Sequence, residues 1–126
     1  MTTPSPSDLL DDLTHWADGQ GVGLTVAVLD DHTWEVIGID RDEGTPPGTG
    51  RLVLERLNRL ADTHGQVLTL MVMGANSALE TYYAALGYVG EEHRRDPLTA
   101  DLTMCRAPSA QVVLDCPPLH RRPRPR

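Results

Sequence analysis

Residues 34–73 constrain the fold most. "WEVIGID" is a short run rich in β-branched and aromatic residues, which suits a strand. "TPPGTG" interrupts it with two prolines and two glycines, which suits a loop. Residues 51–64 then place Val53, Leu57, Leu60, Ala61 and His64 on one helical face, and Gly65 ends that helix. "QVLTLMVMG" follows as a second, buried strand. A helix with one apolar face between two apolar strands needs a sheet to cover, so the segment predicts a layered α/β domain with a mixed sheet.

The flanking segments extend the pattern. In "SDLLDDLTHWADGQG", Leu9, Leu10, Leu13, Trp16 and Ala17 recur at helical spacing. Ser7 or Asp8 is the expected cap, and Gly19 and Gly21 the stop. "GLTVAVLDDHTWEVIGID" reads as two strands joined at "DDHT". "NSALETYYAALG" reads as a third helix, with a Ser77–Glu80 capping box and a buried stripe of Leu79, Tyr82, Tyr83 and Leu86. One or two strands are expected in residues 88–106, centred on 99–105, and "QVVLD" is a candidate edge strand. The expected organisation is a disordered lead over 1–7, one domain over 8–108, and a Pro/Arg-rich extension over 109–126.

At 126 residues the chain is long enough to bury one core. It has no phenylalanine, so that core rests on Leu, Val, Ile, Met and a few large aromatics. Every basic residue is arginine, and four of them sit in "LHRRPRPR". Without those four, seven arginines face eighteen acids, a net charge of −11. Such a body repels phosphate backbones and suits a cationic substrate such as an amine. Nucleic acid is therefore disfavoured as a partner. No apolar run reaches the roughly 18 residues of a membrane span, and the N-terminus lacks the pattern of a secretory signal. The expected location is cytoplasmic, where Cys105 and Cys116 would be free thiols, Cys105 on a buried strand. His15, His64 and His93 lack metal-ligand spacing, so no metal is expected.

Two motifs carry chemistry. Gly48-Thr49-Gly50 lies at the mouth of the second helix, where glycine has no helical advantage. It is either an ordinary Pro/Gly turn or a presentation of bare backbone amides to an anion. Helix N-termini leave N–H groups unpaired and carry partial positive charge, and glycine lets a phosphate come close. The second motif starts at Asn76 and includes Ala78, Tyr83, Gly87 and Tyr88. In order and spacing the pair resembles the acetyl-CoA-binding half of the GCN5-related N-acetyltransferases (GNAT superfamily). That family has a loop [R/Q]-x-x-G-x-[G/A] before one helix and an Asn-started helix ending Y-x-x-x-G-[F/Y] after the next strand. The resemblance covers roughly residues 24–106.

The resemblance implies a GNAT-like fold: a mixed, mostly antiparallel sheet flanked by helices, with the N-terminal part shortened. It implies acetyl-CoA as co-substrate and transfer of its acyl group to an amine of a small molecule or peptide. Gly48, Thr49, Gly50 and Arg51, with Leu52, would hold the diphosphate, with Arg51 adding charge. Asn76 would contact the cofactor arm, unless it serves only as a helix cap. Tyr83 would return a proton to the leaving thiolate, unless it is only a core aromatic. Glu35 is the candidate base for the amine, with Asp40 second and His32 third; the alternative for Glu35 is a solvated strand residue.

The chain departs from the family pattern in three places. Thr45 stands where Arg or Gln is usual, Pro46 and Pro47 supply no backbone N–H, and one helix replaces a longer N-terminal half. These departures favour a second reading, a catalytically degenerate GNAT-like binding module that contacts partners through its sheet or tail. A homodimer is an expectation under either reading, since a short domain leaves a sheet edge exposed.

Overall fold

The computed structural model describes residues 5–108. The elements are α1 (Pro6–Gly19), β1 (Val22–Asp30), β2 (Thr33–Arg41), α2 (Thr49–Thr63), β3 (Val67–Val72), α3 (Ser77–Ala85), β4 (Val89–Gly90) and β5 (Leu102–Arg106), with a single 3-10 turn at Glu92–Arg94 before β5. The strands form one sheet in the order β1-β2-β3-β5-β4. Only β2 and β3 run parallel; the other neighbours are antiparallel. This is the expected mixed, mostly antiparallel sheet flanked by helices.

Local chemistry sets most boundaries. Helix α1 starts earlier than Ser7 or Asp8 would have it: Ser5 is the cap, its hydroxyl accepts from the Asp8 N–H, and Asp8 reaches back to the Ser5 N–H. Pro6 opens the first turn, where its missing N–H costs nothing. The hairpin turns at Asp31-His32, and the Asp30 carboxylate accepts from the His32 N–H at 2.7 Å. Helix α3 is capped by Asn76 and not by a Ser77–Glu80 box, because Glu80 is engaged by Arg95. Strand β5 begins at Leu102, later than 99, because Asp96 folds the preceding residues into a turn. Its carboxylate accepts from the Leu98 and Thr99 N–H groups, and its carbonyl from the Ala100 N–H.

All three helices share one face of the sheet. Leu10, Leu13 and Ala17 of α1, and Val53, Leu54, Leu57 and Ala61 of α2, form one core with Val22, Leu24, Trp34, Val36, Leu68, Leu70, Val72, Leu102 and Met104 of the strands. The Arg56 guanidinium of α2 stacks over Trp16 of α1 at 4.3 Å. Tyr88 donates to Asn58 Oδ1 at 3.0 Å inside the core, and Arg106 pairs with Asp62 while donating to the Leu86 carbonyl. These bonds clamp β5, α2 and the end of α3 together. Two helix residues fall outside the expected stripes: His64 is the exposed C-cap of α2, and Leu79 is exposed on α3.

The opposite face differs. Strand registers place Ala27, Glu35, Thr69, Cys105 and Val89 in one row across all five strands, alternating with the core set. No described helix packs on that row. Cys105 also corrects an expectation: it is disulfide-bonded, not a free thiol. Cys116, "QVVLD" and the Pro/Arg tail lie outside the described residues.

Candidate functional site

The site is built by the one parallel pair. Strands β2 and β3 are in register only over Thr33–Glu35 and Val67–Thr69. Beyond Glu35, β2 runs on to Arg41 and β3 runs on to Val72 without pairing. The sheet is therefore split between them toward their C-terminal ends. A bulge at Ile37, which is 60% exposed, coincides with the start of the split. Helix α2 starts from the end of β2 and α3 from the end of β3, so both helix N-termini belong to the open end of the split. Ligands of open α/β sheets bind at such strand C-termini.

The α2 terminus has the features of an anion cradle. Gly48 is its cap with φ +88°, a left-handed conformation that favours glycine. A Cβ on Gly48 or Gly50 would meet nothing within 4 Å, so the backbone there faces open space. The Thr49 N–H and hydroxyl are both turned to the Pro46 carbonyl, at 3.3 and 2.8 Å. The Gly50 and Arg51 N–H groups have no partner among the described residues. The Arg51 guanidinium pairs with Glu55 at 3.2 Å on the exposed surface.

Thr45 faces inward. Its hydroxyl donates to the Gly21 carbonyl at 3.1 Å, and its N–H to the Asp42 carbonyl. Gly21, at φ +86°, accommodates it by lacking a Cβ, which would stand 2.3 Å from Thr45 Oγ1. The loop is thus fastened to the α1–β1 turn by Thr45. Pro46 and Pro47 add stiffness and no donors. This fastening is absent from any motif; the pair Gly21 and Thr45, 24 residues apart, becomes visible only when the chain is folded.

On the other side of the split, Asn76 Oδ1 accepts from the Leu79 N–H at 3.1 Å, which is the capping role. Tyr83 is half-buried against the core, edge-on to Tyr82 at 5.3 Å and to Tyr88 at 5.8 Å between ring centroids. Its hydroxyl has no hydrogen-bond partner among the described residues. Burial raises its pKa above the usual phenol value, with the neighbouring Tyr82 adding to the effect. Tyr82 is also raised, by burial first, with Arg51 of the cradle helix pulling the other way. Glu35 sits at the last paired step before the split, on the helix-free face, opposite Thr69. Glu35 and Tyr83 thus belong to opposite sides of the sheet, Glu35 on the helix-free face and Tyr83 packed against the core. Asp40 lies further along β2 and is exposed, and His32 is in the hairpin turn, away from the open end. Among the described residues no group of three or more His, Cys, Asp or Glu is placed to hold a metal, and no helix is long and apolar enough to cross a membrane.

This architecture is shared with N-acetyltransferases of known structure. The ribosomal-protein-S18-alanine N-acetyltransferase from Escherichia coli superposes with a TM-score of 0.57 at 22% identity, over 71% of this chain. The chain spans only 62% of that enzyme. A GNAT family acetyltransferase from Elizabethkingia anophelis, solved with acetyl-CoA bound, gives 0.56 at 16% identity over 83% of this chain and 92% of that one. The PaiA N-acetyltransferase of Thermoplasma acidophilum, in complex with coenzyme A, gives 0.53 at 16% identity over 82% and 71%. No protein-family model matches the chain, and no curated protein matches it. At these identities the likeness shows the fold: this chain has GNAT-like architecture, with one helix ahead of the β1–β2 hairpin.

Proposed function

We propose that the protein binds acetyl-CoA and transfers its acyl group to an amine. The carrying observation is the α2 terminus: two glycines facing open space and unpartnered Gly50 and Arg51 amides, at the open end of a split parallel pair. The residues present fit a diphosphate there, since free N–H groups and the positive end of the helix dipole both favour an anion. Gly48, Thr49, Gly50 and Arg51 would line that cradle, and Asn76, the cap of α3, would contact the cofactor arm.

Acetyl-CoA supplies an acyl group already activated as a thioester. The protein's part is to orient it and to move two protons. Glu35 would take a proton from the incoming ammonium at the helix-free face, freeing the nitrogen lone pair. Tyr83, a phenol and so protonated at neutral pH, would give its proton to the departing thiolate on the helix side. The acidic body, −11 without the tail arginines, favours approach of a cationic amine.

A second reading has an observation of its own. Thr45 is committed to Gly21, and Pro46 and Pro47 offer no amides, so the cradle has fewer donors than the family loop pattern provides. Such a loop suits a binding module without turnover. Titration calorimetry with acetyl-CoA and with CoA separates the two. Micromolar binding that weakens at least tenfold in Gly50→Glu, where a carboxylate would repel the diphosphate, supports the cradle. No heat up to millimolar ligand overturns it and leaves the binding module. If binding is present, loss of turnover in Tyr83→Phe with binding retained assigns the proton donor.

A further inference from the structure

We propose that the outer edge of β1 receives an extended, basic peptide segment of another protein as an added strand. The sheet has two edges, β1 and β4. The β4 edge is two residues long, and a very short edge is one way a sheet avoids pairing. The β1 edge is nine residues long and carries no charge or proline before Asp30. Its bonding groups follow from the ends of the hairpin. The Gly21 carbonyl accepts from the Asp42 N–H, so Val22 and Arg41 form a wide pair and the Val22 N–H and C=O point away from β2. By alternation so do those of Leu24, Val26 and Val28. The other end agrees. The His32 carbonyl goes to the Val67 N–H on β3, so Trp34 also turns toward β3 and its β1 partner Val28 faces out. These outward groups have no backbone partner among the described residues. Val22 is fully buried, so the accessible stretch runs from Leu24 to Val28, with Val28 43% exposed.

Charge decides what fits there. The tight turn at Gln20-Gly21 sends β1 back along α1, which packs on it. On α1, Leu10, Leu13 and Ala17 face the core, while Asp12 and Trp16 face α2. The remaining side carries Asp11 and Asp18, two turns apart beside the β1 edge. Asp31 stands at the far end of the strand, in the hairpin turn. All three are exposed, and none forms an ion pair among the described residues. A second copy paired antiparallel here would bring the Asp11 and Asp18 sides of two α1 helices together, and like charges repel. A strand with arginine or lysine at alternate positions sets its cations against those carboxylates and its backbone against the open groups of Leu24, Val26 and Val28. The edge lies on the far side of the hairpin from the split, so this surface does not depend on acyl transfer.

Amide hydrogen exchange and peptide binding to the full chain test this. In the free monomer the Val26 and Val28 amides should exchange fast, and those of Thr25 and Ala27 slowly. Slow exchange at all four would mean that the edge is already covered, and would overturn the proposal. A labelled peptide alternating arginine and threonine should bind, measured by fluorescence anisotropy, and should slow exchange at Val26 and Val28. The same peptide with glutamate for arginine should not bind, nor should the arginine peptide with its backbone N-methylated. Asp11→Asn combined with Asp18→Asn should weaken binding about fivefold at low salt. No binding up to millimolar peptide, or equal binding of the N-methylated form, would refute an added strand. A dimer in sedimentation, with Val26 and Val28 protected in it, would mean that a second copy occupies the edge.

Discussion

Gly21→Ala should be the most damaging single-methyl change in the described chain, and its cost can be worked from two terms. The first is conformational: Gly21 has φ +86°, where an L-residue with a Cβ costs about 1–2 kcal/mol. The second is steric: the new Cβ would stand 2.3 Å from Thr45 Oγ1, so the hydroxyl must leave and its bond to the Gly21 carbonyl is lost. A partly buried hydrogen bond of this kind contributes about 1 kcal/mol. The sum is about 2–3 kcal/mol, or a Tm lower by roughly 10 °C or more for a domain of this size. A double-mutant cycle in chemical denaturation isolates the second term. Thr45→Ala already removes the hydroxyl, so Gly21→Ala in that background should cost only the backbone term, with a coupling energy of about 1 kcal/mol. Additive costs would refute the fastening of the loop through Thr45. A further readout links the pair to the proposed function: if the cradle holds acetyl-CoA as proposed, both single variants should weaken its binding, because the cradle follows the fastened residue by three positions.

Tyr88→Phe removes the donor to buried Asn58 and should cost about 1–3 kcal/mol by guanidinium unfolding, since the amide oxygen is left unsatisfied. Burial raises the Tyr88 pKa well above the phenol value, so its contribution is full below about pH 10 and is lost as pH rises beyond that. Melting temperature measured from pH 9 to 11.5 should therefore fall less steeply in Tyr88→Phe than in the parent; an unchanged slope would contradict it. Arg106→Met breaks two bonds to Asp62 and one to the Leu86 carbonyl, and should lower stability by about 1–3 kcal/mol at neutral pH. Thermal melts showing no loss would mean that the clamp between β5, α2 and α3 carries no weight.

Legibility in the sequence followed the range of the interaction. The hairpin at Asp31-His32, the helix over α2 and the strand β3 depend on local periodicity and turn residues, and all were readable. Where a local signal competes with a distant partner, reading failed. Ser77 and Glu80 have capping-box spacing, but Glu80 is taken by Arg95, fifteen residues away. Leu79 has the spacing of a buried residue, yet only the inner side of α3 meets the core. Thr45 was legible as a departure from the family loop, but not as a residue facing Gly21. The loop residues, Asn76 and Tyr83 were named from motif positions, and Glu35 only from its strand; that Glu35 faces away from the helices came from strand register, which the sequence does not state.

The short parallel seam has a mechanical consequence. Hairpin β1–β2 is stitched by eight antiparallel residue pairs and β3–β5 by five, while three parallel pairs join the two. Under tension applied across the strands, rupture would start at Trp34 and Leu68, and α2 would become the tether between two intact leaves. A molecule lodged in the split would act as a rivet, so the force needed to part the leaves would report its occupancy.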